Sequence, residues 1–351
     1  MSVIFAIILF SVLIFVHELG HFMAAKLSGV QVNEFSMFMG PAIWKKQKGE
    51  TLYAIRTIPL GGYCAMEGED EDTDNPRSFQ KAAWWKRLII LVAGAAMNFL
   101  FGLLIFTFLY FPVEQITDPV IVEFTDCCVF NTKDGLRLGD QILEIDGKKV
   151  YVLGDVSVLL AVDADGVHDI SVLRDGNVHT FHQLPMGHTH MNEDGEEYRH
   201  YGITTGKSRP ADFWDKLGYV WDITVSDVRG VILSLGMLIR GEAGLKDMSG
   251  MVGIVDMMAQ TAAQSDSFRI AVLNLLNFGG FIAINLAVMN LLPIPALDGG
   301  RVVCLLITTA VEAITKKKIN PKYEGYLHAA GMVLLLGLMA VITLKDIWNL
   351  F

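Results

Sequence analysis

The sequence predicts a polytopic α-helical membrane protein with four transmembrane helices, a membrane-associated β-hairpin and an inserted β-rich domain. Three observations indicate this fold class. First, 52% of the 351 residues are hydrophobic and the mean hydropathy is positive, which is too apolar for an ordinary soluble protein. Second, long apolar runs alternate with charged stretches. Third, a polar region with regular strand and turn signals separates the second apolar run from the third.

The overall composition excludes several classes of protein. A formal net charge of -10 argues against nucleic acid as a partner, because phosphate backbones bind basic surfaces. Among the four cysteines, the adjacent pair Cys127 and Cys128 suits neither a disulfide framework nor a zinc ribbon. The N-terminus lacks the basic region and the cleavage site of a signal peptide, so we expect the first apolar run to be retained.

The four predicted spans are 3–27, 88–111, 270–292 and 326–344, each long enough to cross a hydrocarbon core of about 30 Å. Positive charges set the orientation, because Lys and Arg concentrate in cytoplasmic loops. Those between the first two spans are Lys26, Lys45, Lys46, Lys48, Arg77, Lys81, Lys86 and Arg87. A second basic loop holds Lys316, Lys317, Lys318 and Lys322. We therefore expect both loops on the cytoplasmic side and the N-terminus outside.

The first span contains the pattern His-Glu-x-x-His, formed by His17, Glu18 and His21. Side chains four residues apart share one face of a helix, so both imidazoles can bind one zinc ion with Glu18 beside it. His17 lies roughly 20 Å along the span, where each ionisable group costs about 2.5–3.5 kcal/mol and so needs a partner or a function. The alternatives are a buried structural cluster or a chance match.

The third span ends in NLLPIPALDGGR, where Pro293 and Pro295 must interrupt the helix. Asp298 follows this break and should reach the same side of the membrane as the two histidines. Two His and one carboxylate form an accepted zinc site that leaves one coordination position open. The alternative is that Asp298 caps the next helix, since Asp-Gly-Gly is common turn chemistry.

Between these elements, the sequence predicts several smaller features. Residues 50–66 contain two β-prone pieces broken by Pro59 and Gly61-Gly62, which predicts a hairpin that either lines a membrane cavity or lies in the cytosol. The acidic tract at 67–74 indicates a solvated loop. In the second span, Gly94, Asn98 and Gly102 permit a close helix contact, either with the histidine helix or as generic packing.

The polar region at 113–208 predicts a domain outside the membrane. Its turn signals are Asp146-Gly147, Asp165-Gly166 and Asp175-Gly176. Five histidines in it fit scattered surface positions better than a second metal site: His179, His182, His188, His190 and His200. Residues 219–239 then predict an amphipathic helix lying along the membrane interface, and 249–253 predict a loop.

With these residues in view, the sequence resembles the bacterial site-2 proteases, the RseP-like intramembrane zinc metalloproteases. Three motifs carry the resemblance: FVHELGH at 15–21, NLLPIPALDGG at 290–300, and GLRLGDQILEIDGKKV at 135–150, which is similar to the core of a PDZ domain. The resemblance implies zinc held by His17, His21 and Asp298, with Glu18 as general base.

Further roles follow only from the resemblance. It implies that Asn285 and Asn290 bind substrate, that a hairpin around Gly61, Gly62 and Tyr63 guides an extended peptide, and that 94–98 is the family's second-span motif.

The same resemblance implies the division of the chain and its setting. Residues 1–112 would form an N-terminal membrane half, 113–208 a single extracytoplasmic PDZ-like domain, and 209–351 the C-terminal membrane half. Some relatives carry two PDZ domains in tandem. What the family implies about substrate entry through a double PDZ filter therefore does not transfer directly to this chain, in which a single PDZ-like domain fits. The implied partners are single-span membrane proteins or signal-peptide remnants as substrates, the lipid bilayer of a bacterial cytoplasmic membrane, and a ligand of the PDZ-like domain.

Two other functional classes stay open from the sequence. A metal transporter also places His and Asp within spans, but it should add charged ligands along a path, and the second and fourth spans hold almost none. A catalytically inactive membrane scaffold would use its PDZ-like domain for binding and would not need Glu18.

Overall fold

The computed structural model describes residues 2–69, 73–125, 135–162, 166–186, 188–191, 197–244, 248–317 and 322–349. The helices, named α1 to α8 in chain order, are Ser2–Ser28, Trp84–Tyr110, Leu153–Val162, Phe213–Arg240, Met251–Ala263, Phe268–Asn290, Asp298–Thr315 and Lys322–Asn349. The strands, β1 to β10, are Val32–Lys48, Thr51–Met66, Gln115–Phe124, Gln141–Ile145, Lys148–Lys149, Val167–Arg174, Asn177–Pro185, His188–Met191, Glu197–His200 and Ile203–Pro210. Two compact units result: Met1–Phe106 with Asp227–Phe351, and Thr107–Ser226.

Four helices in the described part are long and apolar enough to cross a membrane. They are Ile4–Ser28, Trp84–Tyr110, Phe268–Asn290 and Tyr323–Trp348, in α1, α2, α6 and α8. This confirms the predicted number of spans, and every bound lies within a few residues of its predicted position. The chain is a multi-pass membrane protein.

The spans of the first unit pack through glycines. A Cβ on Gly20 of α1 would lie 2.8 Å from Met97 Cγ and would overlap the carbonyl oxygen of Ala93, so these two helices touch through their backbones. A Cβ on Gly102 of α2 would lie 2.8 Å from Ile284 Cδ1 of α6. The helices that carry the predicted site are thus held at short distances, as small residues permit in membranes.

The predicted hairpin at 50–66 is wrong in its pairing. The two β-prone pieces both belong to β2 and do not pair with each other; each pairs with β1, a strand that the sequence did not indicate. Residues 34–37 of β1 pair with 62–65 of β2 along one edge and with 52–55 along the other. Residues 42–48 of β1 pair with 51–56 of β2 across the turn at Gly49-Glu50. Positive φ angles at Phe38, Gly40 and Gly61 mark the bends that make this possible.

In the first unit, the helix α5 was not predicted, and α7 was expected only under the alternative that Asp298 caps a following helix. The sequence indicated a loop at 249–253, but α5 begins at Met251. The reason is a tertiary contact: Asp346 Oδ2, at the end of α8, accepts hydrogen bonds from the N–H groups of Gly250 and Gly253 at 2.8 and 3.0 Å. A side chain distant in sequence thus supplies the cap that the local sequence lacks. The predicted helix at 219–239 is present within α4.

The second unit, Thr107–Ser226, contains a sheet with strand order β10-β3-β4-β6-β7, with β5 beside β4. Two predicted turns form with positive φ at both residues, +50° and +68° for Asp146-Gly147 and +50° and +80° for Asp175-Gly176. Such angles suit tight hairpin turns. Asp165, from the third predicted turn, lies outside the described residues. The division at 113–208 and its PDZ-like assignment stay predictions.

The histidines of this unit agree in part with the prediction. His179 and His182 are exposed on β7. The side chains of His188, His190 and His200 lie outside the described set. His168, which the prediction did not include, is buried and lies 2.7 Å from Asp146 Oδ2 through its Nδ1. It therefore supports the Asp146-Gly147 turn from inside the sheet.

Candidate metal centre and active site

Three side chains from two distant parts of the chain meet in the first unit. His17 Nε2 and His21 Nε2 are 3.2 Å apart, and each lies 3.3 Å from Asp298 Oδ2. Among the described residues, these three side chains form the group of His, Cys, Asp or Glu residues that lie close enough together to hold a metal ion. The three atoms form a nearly equilateral triangle.

The dimensions of this triangle fit zinc. With bonds of about 2.0–2.2 Å, tetrahedral zinc separates any two ligand atoms by roughly 3.3–3.6 Å. The observed edges of 3.2–3.3 Å are therefore those of one face of such a tetrahedron. The donor set of two imidazoles and one carboxylate occupies three positions and leaves the fourth for water or substrate.

The imidazole of His21 is oriented by the second span. Its Nδ1 lies 2.8 Å from the carbonyl oxygen of Ile90, so this nitrogen donates and Nε2 is left to face the cluster. Such a partner fixes the tautomer and the ring direction of a metal-binding histidine. His21 is almost fully buried, and α2 thus determines which of its nitrogens is available.

Two asparagines approach the outer nitrogen of His17. The Nδ2 atoms of Asn98 in α2 and Asn290 in α6 lie 3.4 and 3.5 Å from His17 Nδ1. Rotating either amide by 180° would place an oxygen there instead, where it could accept from Nδ1–H. Asn98 is buried, so the predicted polar contact from the second span is made with the histidine helix.

Gly94 is the point at which α2 meets both imidazoles. A Cβ at this position would overlap His21 Nε2 and lie 2.7 Å from His17 Cε1. Any larger residue would push the rings out of the triangle. The structure thus favours the functional alternative for the small residues of the second span over generic packing.

Asp298 is the first residue of α7. The residue that caps this helix is Leu297, and the Asp298 carboxylate faces the histidines instead of closing a turn. Backbone contacts hold it in place: a Cβ on Gly299 would overlap the carbonyls of Leu291 and Leu292, and one on Gly300 would overlap the Ile294 carbonyl. The Gly-Gly pair after Asp298 therefore permits close packing.

A cavity of about 650 Å³ opens onto the triangle. Glu18 lines it together with the three candidate ligands. The strand β2 passes directly over Glu18, because a Cβ on Gly62 would lie 3.2 Å from Glu18 Cγ and 3.1 Å from the carbonyl oxygen of Ser36. Glu18 therefore lies under β2 and lines the same cavity as the three candidate ligands.

Comparison with known proteins identifies the family. Residues 5–338 match the family model of peptidase family M50. This chain belongs to peptidase family M50. A protein of Clostridium perfringens that is provisionally named a zinc metalloprotease is 35% identical over 99% of this chain and 98% of its own length. The regulator of sigma-W protease RasP of Bacillus subtilis is 27% identical over 100% and 99%.

The M50 assignment makes the chain a zinc metalloprotease of the site-2 protease family, as the resemblance implied. A provisionally named zinc metalloprotease of Fusobacterium nucleatum, 31% identical over the full length of both chains, agrees with this. The alternatives of an inactive scaffold and a metal transporter are set aside, because the family and its relatives are named for peptide hydrolysis with zinc.

Within this M50 protein, the structure brings together some of the predicted substrate residues and not others. Tyr63 lines the cavity, and its hydroxyl donates to Glu34 Oε1 at 2.8 Å. Gly62 packs against Glu18. Gly61 adopts φ +72°, and its Cα faces Met39. Asn290 reaches His17, whereas Asn285 lies on α6 about 140° further around the helix.

One pair of residues at this M50 site was missed. Arg301, one turn after Asp298 on α7, forms an ion pair with Glu69, and both line the cavity. The prediction of a solvated loop at 67–74 is therefore wrong for Glu69, while 70–72 lie outside the described residues. The signal that could have found the pair is the position of Arg301, three residues after a candidate ligand and so on the same face of a helix.

Proposed function

We propose that this zinc metalloprotease hydrolyses peptide bonds within the transmembrane segments of single-span membrane proteins. The observation that carries the proposal is the location of the triangle. Two of its corners, His17 and His21, belong to a candidate span, and the third is held against them by helices α6 and α7. A site built on a spanning helix lies at a depth where membrane-embedded chains can reach it, which supports this substrate class.

His17, His21 and Asp298 would hold the zinc ion in this proposal. Zinc bound there would polarise the scissile carbonyl and make a water molecule acidic enough to attack at neutral pH. Glu18 is the general base: it takes the proton from the attacking water and passes it to the leaving amine. Glu18 packs against Gly62 and lines the cavity that opens onto the triangle.

The substrate would bind as an extended strand. A peptide bond inside a helix is protected by its own hydrogen bonds, so a transmembrane substrate must unwind before it is cut. Residues 62–66 of β2 offer replacement bonds, because among the described strands they pair with β1 alone and leave their second edge unpaired. Tyr63, Cys64, Ala65 and Met66 line the cavity along this edge. Strand addition to such an edge supplies main-chain hydrogen bonds.

The asparagines would assist this extended strand. Asn290 lies beside His17, where its amide could bind a substrate carbonyl next to the scissile bond. The role of Asn285 rests on the resemblance to the site-2 proteases, as do those of Gly61 and Tyr63 as substrate contacts.

The setting we propose is a bacterial cytoplasmic membrane. The relatives named above are bacterial proteins. The basic residues between the first two spans favour a cytoplasmic position for the β1–β2 sheet, which leaves 113–208 outside as the PDZ-like domain with its own ligand. Single-span membrane proteins and signal-peptide remnants are the substrate classes that fit a site in the bilayer.

The decisive test is Glu18→Gln in purified, zinc-loaded protein with a single-span test substrate. We expect cleavage to fall by about 10²–10⁴-fold with zinc content unchanged, since only the proton transfer is lost. Mass spectrometry of the products of the parent protein should locate the cut within the apolar segment. As the matched control, Asp298→Asn should lower zinc content measured by elemental analysis. Undiminished cleavage by Glu18→Gln, or a cut outside the apolar segment, would overturn the proposal.

A further inference from the structure

The segment between α6 and α7 ends in Asp298 and has an unusual backbone. Residues 291–297 join the two helices, and Ala296, two positions before Asp298, adopts φ +84°. Residues with a Cβ rarely adopt this left-handed conformation, because the side chain crowds the following carbonyl. Contacts from the surrounding structure must therefore stabilise this segment, on which the placement of the Asp298 carboxylate depends.

The fourth span provides such a contact through His328. The backbone N–H of Ala296 donates a hydrogen bond to His328 Nδ1 at 3.0 Å. The imidazole is largely buried, with 11% of its side chain exposed. Because Nδ1 accepts this bond, it carries no proton, and the neutral ring must be protonated on Nε2. Glu324, one turn earlier on α8, lies 4.0 Å from Nε2.

A second contact from the same face of α8 holds the preceding residue. A Cβ on Gly331 would lie 2.5 Å from Pro295 Cβ and 2.6 Å from the Pro295 carbonyl oxygen. His328 and Gly331 are three residues apart and so lie on one side of the helix. The fourth span thus contacts Pro295 by close approach and Ala296 by a hydrogen bond.

We propose that His328 is a positioning residue for Asp298, acting through the backbone of Ala296. This inference rests on the proposed role of Asp298 as a zinc ligand. The imidazole accepts the Ala296 N–H and so maintains the left-handed turn that directs the next helix, and with it the carboxylate, toward His17 and His21. Without an acceptor, this N–H would be left without its partner in an apolar region.

Packing alone does not explain a histidine at this position. An ionisable side chain within a span is costly, and an aliphatic residue would fill the same space at no such cost. What the imidazole adds is an acceptor at one point on the surface of α8, directed at the backbone that precedes a candidate ligand.

The test compares His328→Asn with His328→Leu in the full-length protein. The two replacement side chains have nearly the same shape, but only Asn can place an acceptor oxygen where Nδ1 lies. Zinc affinity is measured by competition with a chelator, and the unfolding temperature of the zinc-free forms is measured in parallel. We expect His328→Leu to bind zinc about tenfold more weakly and His328→Asn to remain near the parent, in the range found for groups that orient metal ligands.

Cleavage supplies a second measurement. Excess zinc should largely restore the turnover of His328→Leu, because its defect lies in holding the ion. Equal zinc affinities for the Leu and Asn variants would overturn the inference. It would also be overturned if zinc-free His328→Leu unfolded at a temperature low enough to account for its entire loss of zinc affinity. If Asp298→Asn weakens zinc binding while His328→Leu does not, this inference alone fails. If Asp298→Asn binds zinc as tightly as the parent, the proposed function itself fails.

Discussion

The two sides of the candidate metal centre are built in different ways. His17 and His21 are one turn apart on a regular helix, and their spacing follows directly from the helical repeat. Asp298 follows an irregular segment with two prolines and a left-handed alanine, and it reaches the histidines only because α6, α7 and α8 pack around that segment. One side is local in sequence, while the other depends on contacts between distant residues.

This difference shows where the site is sensitive. On the histidine side the backbone is regular, and the space between α1 and α2 limits the positions of the two imidazole rings. A side chain that enters this space would therefore shift the rings of His17 and His21. On the aspartate side the position of Asp298 is limited by contacts with backbone atoms, which cannot rotate aside as side-chain atoms can. Substitutions that add a single methyl group on each side compare the two directly.

The largest effect is expected on the aspartate side, from Gly299→Ala. The added Cβ would overlap the backbone carbonyls of Leu291 and Leu292, and neither can rotate away as a side chain can. Overpacking typically costs about 1–3 kcal/mol, and here relief requires α7 to move with Asp298 at its first residue. We expect zinc content close to that of Asp298→Asn, measured by elemental analysis. Full zinc content would show that the segment 291–297 adapts more readily than its contacts indicate.

A smaller effect is expected on the histidine side, from Gly94→Ala. The new methyl group would meet the His21 ring and, at 2.7 Å, His17 Cε1, so the rings must shift while their helix stays in place. We expect zinc affinity to fall by about 10–100-fold, the range typical when the support of a metal ligand is disturbed. The matched control is Gly337→Ala on α8, where the added Cβ meets no atom within 4 Å and zinc affinity should not change. Equal affinities for both variants would contradict the role given to Gly94.

The smallest effect concerns the ion pairs at the end of the histidine helix. Hydrogen bonds from Arg77 and Lys26 lower the pKa of Glu50 to about 2 from its ordinary 4.5. A lowered pKa stabilises the fold above pH 4.5, and this contribution is lost as the pH falls from 4.5 toward 2. The groups are partly exposed, so the contribution is modest.

In the corresponding experiment, Glu50→Gln should lower the unfolding temperature slightly at pH 7. The difference from the parent should narrow below pH 4.5, and zinc content at pH 7 should be unchanged. A loss of zinc at pH 7 would mean that this surface cluster, and not only the packing against α2, determines the positions of the histidines.

Much of this arrangement could be predicted from the sequence. The four spans follow from predominantly apolar runs of about 20 residues or more, the length that an α-helix needs to cross the hydrocarbon core of a membrane. The pair His17 and His21 follows from the helical repeat, and Asp298 follows from a carboxylate placed after a break that two prolines enforce. Motifs in the same order as in the site-2 proteases identified the family. Each of these features depends on residues close together in the chain.

Other features could not be predicted because they depend on pairing between distant segments. The strand β1 contains Pro41 and lacks clear alternation, and it forms because both pieces of β2 bond to it. The helix α5 starts where Asp346 caps it. The role of Gly94 appears only when two imidazoles are found against its Cα. The ion pair of Glu69 with Arg301 joins residues more than 200 positions apart.

The sequence by itself therefore determined the chemistry of this protein: which side chains can bind zinc, and that two of them lie in a membrane span. Only the tertiary structure decided that the carboxylate of Asp298, the third candidate ligand, lies within 3.3 Å of both histidines, and which backbone atoms keep it there. The physical reason is the distance along the chain over which each effect acts. Helical periodicity and hydropathy depend on residues that are close together in sequence, whereas the position of Asp298 depends on the packing of helices that are far apart in the chain.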